Sequence, residues 1–263
     1  MSFAMIGGLT LHYRLTEGSG QAPAIVFVNS LGTDFRIWEN VVTRLADDFT
    51  LLLHDKRGHG LSDTGAMPQS MDDHARDLAG LLDHLGIMGA VICGVSVGGM
   101  VAQALWGMRP DLVRGLILCD TAHQIGTTEM WNARIEAARS GRIAELADPI
   151  LERWFTPEFK AAQAAAHAGY RNMLLRTDGE GYAGTCMALR DADLTEIASR
   201  IDVPTLCVVG EQDGSTPPDV VAGLADLVPG ARLERIAGSG HLPCIDNPEI
   251  LAGLVRSFVA GLG

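Results

Sequence analysis

The segment Gly94-Val95-Ser96-Val97-Gly98-Gly99 points most directly to chemistry. It follows an apolar run ending at Cys93 and opens the helical pattern Val97–Met108. In a strand–turn–helix setting, G-x-S-x-G holds its serine on a sharp turn, with small residues two before and two after it to avoid clashes. The hydroxyl then stands at the carboxyl end of a sheet and the amino end of a helix, where negative charge is favoured. A serine hydroxyl is a poor nucleophile until a base takes its proton. Of the eight histidines, His241 is the best placed, on the loop Ala237-Gly238-Ser239-Gly240-His241-Leu242-Pro243 between the last apolar run and the last helix. His123, at the entry to a long helical stretch, is the rival and reads more readily as a pocket-lining or surface residue. His12, His54, His59, His74, His84 and His167 are expected to serve structure or solvation, His74 and His84 on a polar helix face. The base needs an orienting carboxylate. Asp213 lies just past Leu206-Cys207-Val208-Val209-Gly210 and completes the chain order Ser–Asp–His. Glu211 is the nearby alternative, and Asp213-Gly214 is also good turn chemistry. An oxyanion hole needs two backbone N–H groups. Val97, directly after the serine, supplies one, and Leu31 of Asn29-Ser30-Leu31-Gly32 the other.

These residues need elements to hold them. Leu9–Leu15, Ala24–Val28, Thr50–His54, Ala90–Cys93, Leu116–Cys119, Thr205–Val209 and Leu233–Ile236 read as strands. Most are near-continuous in Val, Ile and Leu, as in strands of a mostly parallel sheet buried on both faces. Asp72–Leu85, Val97–Met108 and Pro248–Leu262 read as helices between or after them, which makes an α/β layered fold. From about 122 to 196 the strands stop. Glu129–Ser140, Ile143–Phe155, Pro157–Met173 and Tyr182–Leu189 all read as helical, so a helical insert interrupts the sheet. The expected division is a core of 1–121 and 197–263 with a cap of 122–196. Asp55-Lys56-Arg57-Gly58-His59-Gly60-Leu61-Ser62 reads as a tight structural loop with buried ion pairing.

Composition narrows the partners. The chain has 263 residues, 47% hydrophobic and 20% charged, with a formal net charge of −12. An acidic surface repels nucleic acid and anionic lipid, so neither is an expected partner. The five cysteines form no C-x-x-C pair or metal-ligand spacing, and no phosphate-binding glycine loop occurs, so no metal and no cofactor are expected. Met1 to Gly8 lacks a basic segment before a long apolar run, and no apolar stretch has transmembrane length, so the expected location is cytoplasmic.

The whole pattern resembles the α/β-hydrolase superfamily: a mostly parallel sheet flanked by helices, with a helical cap inserted after the sixth strand. Asn29-Ser30-Leu31-Gly32-Thr33-Asp34, the 55–60 loop and Gly210-Glu211-Gln212-Asp213-Gly214-Ser215-Thr216-Pro217-Pro218 resemble the 3-oxoadipate enol-lactonases more narrowly. So do Trp131-Asn132-Ala133-Arg134, Glu152-Arg153-Trp154-Phe155, Gly181-Tyr182-Ala183-Gly184-Thr185-Cys186 and Arg190-Asp191-Ala192-Asp193-Leu194 in the insert. Val97 departs from the methionine usual there. The resemblance implies hydrolysis of 3-oxoadipate enol-lactone, late in aromatic degradation, by Ser96, Asp213 and His241. That substrate is a small anionic lactone, and in an acidic protein its carboxylate needs a cation held locally. Arg134, one helical turn from Trp131, is the first choice and Arg190 the second, with Trp131 and Trp154 as further substrate-binding candidates. Alternatives are a carboxylesterase, a C–C bond hydrolase or a perhydrolase on the same fold, or a small-molecule receptor that keeps the fold for binding.

Overall fold

The apolar runs become the inner strands of one sheet. The computed structural model describes residues 2–19 and 22–262; Met1 and Gly263, at the ends of the expected core, lie outside these. The strands are β1 (Ser2–Ile6), β2 (Leu9–Thr16), β3 (Ile25–Val28), β4 (Leu51–His54), β5 (Ala90–Val95), β6 (Val113–Cys119), β7 (Thr205–Gly210) and β8 (Arg232–Ile236). They form an eight-stranded sheet in the order β1-β2-β4-β3-β5-β6-β7-β8. Only β2 runs antiparallel to its neighbours; the remaining pairs are parallel. β1 is not among the expected strands. It is an edge strand with Phe3 and Met5 exposed, so it carries no continuous apolar run.

The helices are α1 (Glu39–Leu45), α2 (Met71–Leu85), α3 (Val97–Met108), α4 (Thr128–Arg139), α5 (Ile143–Trp154), α6 (Pro157–Ala162), α7 (Ala164–Leu175), α8 (Gly179–Asp191), α9 (Thr195–Ala198), α10 (Pro218–Leu227), α11 (Pro243–Asp246) and α12 (Pro248–Ala260). None of them is long and apolar enough to cross a membrane. Ser70 starts α2 with a full capping box: its hydroxyl takes the Asp73 N–H and the Asp73 carboxylate takes the Ser70 N–H. His74 on this helix is buried rather than on a polar face, because its side turns toward the 55–59 loop.

Helices α4 to α8 lie between β6 and β7, with α4 packed along α8 and α5 against α7. The expected helix Pro157–Met173 breaks at Gln163, where the backbone leaves helical angles. Aromatic packing explains the break. Phe159 and Tyr170 both pack on Phe155, with ring centroids 4.6 and 5.6 Å away. In one straight helix those residues would stand roughly 16 Å apart along the axis, so the chain must bend for both to reach the same ring.

The insert meets the core backbone to backbone. A Cβ on Gly181, in the first turn of α8, would lie 2.3 Å from the Gly58 carbonyl oxygen, and one on Gly58 2.4 Å from the Gly181 Cα. No side-chain movement relieves such a contact. Gly181→Ala should therefore destabilise the protein by about 1–3 kcal/mol through overpacking. A thermal-unfolding midpoint equal to that of the unmodified protein would count against this docking.

Candidate active site

Ser96 sits between β5 and α3 with φ 59° and ψ −124°, a backbone conformation that L-residues rarely adopt. Close packing imposes it. A Cβ on Gly94 would lie 2.2 Å from the Gly98 carbonyl oxygen, and one on Gly98 2.1 Å from the Val28 carbonyl oxygen. The glycines two before and two after the serine are thus required by the neighbouring strand and helix, as the motif implies. Ser96 itself is partly exposed and faces a cavity.

Asp213 and His241 come from the loops after β7 and β8. The His241 Nδ1 lies 2.9 Å from Asp213 Oδ2. That carboxylate also accepts from Ser215 N at 2.7 Å, Thr216 N at 3.2 Å and Thr216 Oγ1 at 2.7 Å. Burial alone would raise the Asp213 pKa, but His241 and these donors together hold it below the ordinary carboxyl value. Asp213 is therefore ionised and fixes the His241 ring through Nδ1, while Nε2 makes no hydrogen bond among the described residues. Glu211 is exposed. The end of α5 holds both loops: the Trp154 carbonyl accepts from His241 N at 2.9 Å and the Arg153 carbonyl from Gly214 N at 3.2 Å.

A second buried carboxyl adjoins the pair and escaped the sequence reading. Asp120, directly after β6 with φ 45°, accepts from Gly210 N at 2.8 Å through Oδ1, while its buried Oδ2 has no hydrogen-bond partner among the described residues. Burial first, then the charge of Asp213, pushes its pKa well above the ordinary value. Asp120 is therefore neutral, and Asp213 carries the negative charge beside the imidazole. Ligand-type atoms of Asp120, Asp213 and His241 lie within 4.8 Å of one another. Within this group Asp213 and His241 are joined directly by the 2.9 Å hydrogen bond.

Leu31 lines the same cavity, and Val97 is buried directly after Ser96, outside the lining residues. Val97 is the first residue of α3, where an N–H has no acceptor inside the helix. The Leu31 N–H makes no hydrogen bond among the described residues, and Leu31 lines the cavity beside Ser30 and Ser96. The 55–62 loop braces this segment. Asp55 Oδ1 accepts from Phe35 N at 2.9 Å, and Asp55 Oδ2 meets His12 Nδ1 at 2.7 Å. Arg57 forms a buried ion pair with Asp77, Nε to Oδ2 2.6 Å.

The cavity, roughly 160 Å³, is roofed by the insert. Trp131, Arg134 and Trp154 line it, so α4 and α5 bring three of the four substrate-binding candidates beside Ser96 and His241. Trp131 donates from Nε1 to the Ile125 carbonyl at 2.6 Å, and the Arg134 guanidinium lies 5.0 Å from its ring centroid. Arg190 is not among the lining residues. It is held outside by Asp191, Nε to Oδ1 2.7 Å, and by Asn132, Nη1 to Oδ1 3.0 Å. Its own sequence neighbour neutralises it. His123 does not line the cavity either. Arg153, not singled out from sequence, does line it. Neither Arg134 nor Arg153 pairs with a carboxylate among the described residues, although twelve other arginines do. Burial, then the charge of Arg134, pushes the Arg153 pKa down. Both guanidiniums thus line the cavity that Ser96 and His241 share.

A serine on a strained strand-to-helix turn, a carboxylate–imidazole pair and a mostly parallel sheet with a helical insert define an α/β-hydrolase fold. A family model for alpha/beta hydrolases matches residues 25–254, and the chain belongs to that family. It is 33% identical to 3-oxoadipate enol-lactonase 2 of Acinetobacter baylyi, across 95% of this chain and 93% of that one. Among solved structures it is similar to the enol-lactonase from Burkholderia xenovorans, with TM-score 0.95, 36% identity, and 98% and 100% of the two chains covered. A malate-bound thermophilic esterase from Thermogutta terrifontis matches with TM-score 0.93 at 26% identity, over 100% and 99%.

Proposed function

We propose that this chain is a serine hydrolase that opens 3-oxoadipate enol-lactone to 3-oxoadipate, late in the breakdown of aromatic compounds. The observation that carries the reading is the pair of unneutralised arginines, Arg134 and Arg153, in one cavity with Ser96 and His241. An uncharged ester would not need them, whereas the free carboxylate of the lactone would. The similarity to enol-lactonases supports the same choice. Ser96 Oγ attacks the lactone carbonyl as His241 Nε2 takes its proton. The tetrahedral oxyanion is received by the N–H groups of Leu31 and Val97. The ring C–O bond breaks as the leaving enolate takes the proton held by His241, and the resulting enol tautomerises to the ketone. His241 then takes a proton from water, whose oxygen attacks the acyl carbon and releases the new carboxylate and Ser96. Residues 122–196 act as the cap that closes the cavity and selects the anion. The site uses no cofactor in this scheme, and its partner is the small lactone alone.

The test is steady-state turnover of the enol-lactone beside p-nitrophenyl acetate. The expected outcome is a kcat/KM for the lactone about ten- to a hundredfold above that for the acetate ester, since a charge-assisted contact that the neutral ester cannot make is worth roughly 1.5–3 kcal/mol. Equal values would favour a general carboxylesterase, a reading that the similar esterase structure keeps in view.

A further inference from the structure

The 55–62 loop carries a lysine that the proposed reaction leaves without a role. Lys56 is 2% exposed, and its Nζ donates to the Ser30 carbonyl oxygen at 2.6 Å. Burying an ammonium is costly unless its interaction serves something. Ser30 O does not need this donor to be satisfied, because Thr33 Oγ1 already donates to it at 2.9 Å. The position of the bond matters more. The Ser30 carbonyl and the Leu31 N–H belong to one peptide plane, which is trans, so they point in opposite directions. An ammonium that holds the carbonyl on the outer side aims the Leu31 N–H inward, toward the cavity. The next N–H is already used, since Gly32 N donates to His59 Nε2 at 3.0 Å. Resting on the acyl-transfer reading above, we propose that Lys56 is a positioning residue for the oxyanion hole: through Ser30 O it orients and polarises the peptide whose Leu31 N–H receives the developing negative charge.

The surroundings bear on when this operates. Burial pushes the Lys56 ammonium down to about 7, with Asp55 and Asp34 pulling the other way. His54 on β4, His59 in the same loop and His74 on α2 also face it. Burial foremost, then the charge of Lys56, holds each of these imidazoles low, so they are neutral. The charged form of Lys56 polarises the peptide best, and that form is lost as pH rises through about 7.

The experiment uses Lys56→Gln, which keeps an N–H donor without the charge, and Lys56→Met, which removes both. Each is assayed on the enol-lactone and with a fluorophosphonate probe whose phosphoryl oxygen enters the oxyanion hole, and each is melted at pH 6. Expected are a fall in kcat of about ten- to a hundredfold for Lys56→Met with KM within a few fold, a smaller fall for Lys56→Gln, and a matching drop in labelling rate. The melting temperature should hold or rise at pH 6 in Lys56→Gln, because a buried ammonium has gone. The decline of kcat/KM above pH 7 should flatten in that variant. A merely structural lysine would lower stability and activity together. Unchanged kcat and labelling in Lys56→Met overturn the proposal, as do losses that track melting temperature. If Lys56→Met does not fold, full activity in Lys56→Gln with an unaltered pH profile overturns it equally. Labelling of the unmodified protein that Ser96→Ala abolishes secures the parent reading independently; no labelling of the unmodified protein would sink that reading and this one with it.

Discussion

Ser96→Ala is expected to lower turnover of the enol-lactone by on the order of 10³-fold or more while leaving the fold intact. No other nucleophile lines the cavity in a position to form the acyl-enzyme: Ser30, Ser215 and Thr216 share it, but Thr216 Oγ1 is committed to Asp213, and none of the three stands on the strained turn that presents Ser96. The substitution should change stability by less than about 0.5 kcal/mol. The Ser96 side chain caps nothing, and alanine meets the same φ of 59°. His241→Ala should fall by a similar factor, because the serine then keeps its proton. Asp213→Asn should lose somewhat less, since the loop geometry survives while the imidazole loses its orienting charge. Rates of purified variants, set beside their melting curves, decide the matter. A Ser96→Ala protein near full activity would remove the serine mechanism altogether.

The second large effect is expected from the arginine pair. Arg134→Ala should reduce kcat/KM on the lactone by about ten- to a hundredfold, the equivalent of one charge-assisted contact at roughly 1.5–3 kcal/mol. Arg153→Ala should do the same, and the double variant should lose more than either. The neutral acetate ester should lose far less in all three. Each single variant also relieves the repulsion between the two guanidiniums, so melting temperatures should hold or rise slightly. Equal losses on both substrates would indicate general damage to the cavity instead. An Arg153→Ala protein with full lactone activity would leave Arg134 as the single carboxylate contact.

The elbow around Ser96 was legible because its determinants are local. A buried strand, two glycines at fixed offsets and a helix start all lie within a dozen residues, and close backbone packing leaves few other sequences possible there. Asp213, His241, Leu31 and Val97 stand out as candidates for a related reason, since chain order and position at strand ends follow from the layered pattern alone. In the structure the Asp213 carboxylate meets four donors and Glu211 is exposed.

What tertiary structure decided is which long side chains turn inward. Arg190 and Arg134 look alike in sequence. Only the packing of α4 along α8 shows Arg190 captured by Asp191 and Asn132 while Arg134 lies over Trp131 in the cavity. Arg153 carries no local mark, because its role depends on which face of α5 meets the core. The break at Gln163 depends on two aromatic rings reaching a third from different helices. The partnerships of Asp120 with Gly210 and of Lys56 with Ser30 join residues 90 and 26 positions apart. Contacts across such distances form only when the sheet aligns its strand ends. The sequence by itself determines the layered sheet and the placing of Ser96, Asp213 and His241 at its strand ends, through patterning and steric necessity at short range. The charge of the cavity and the bracing of the oxyanion loop arise from side chains that distant segments bring together, and no local pattern encodes them.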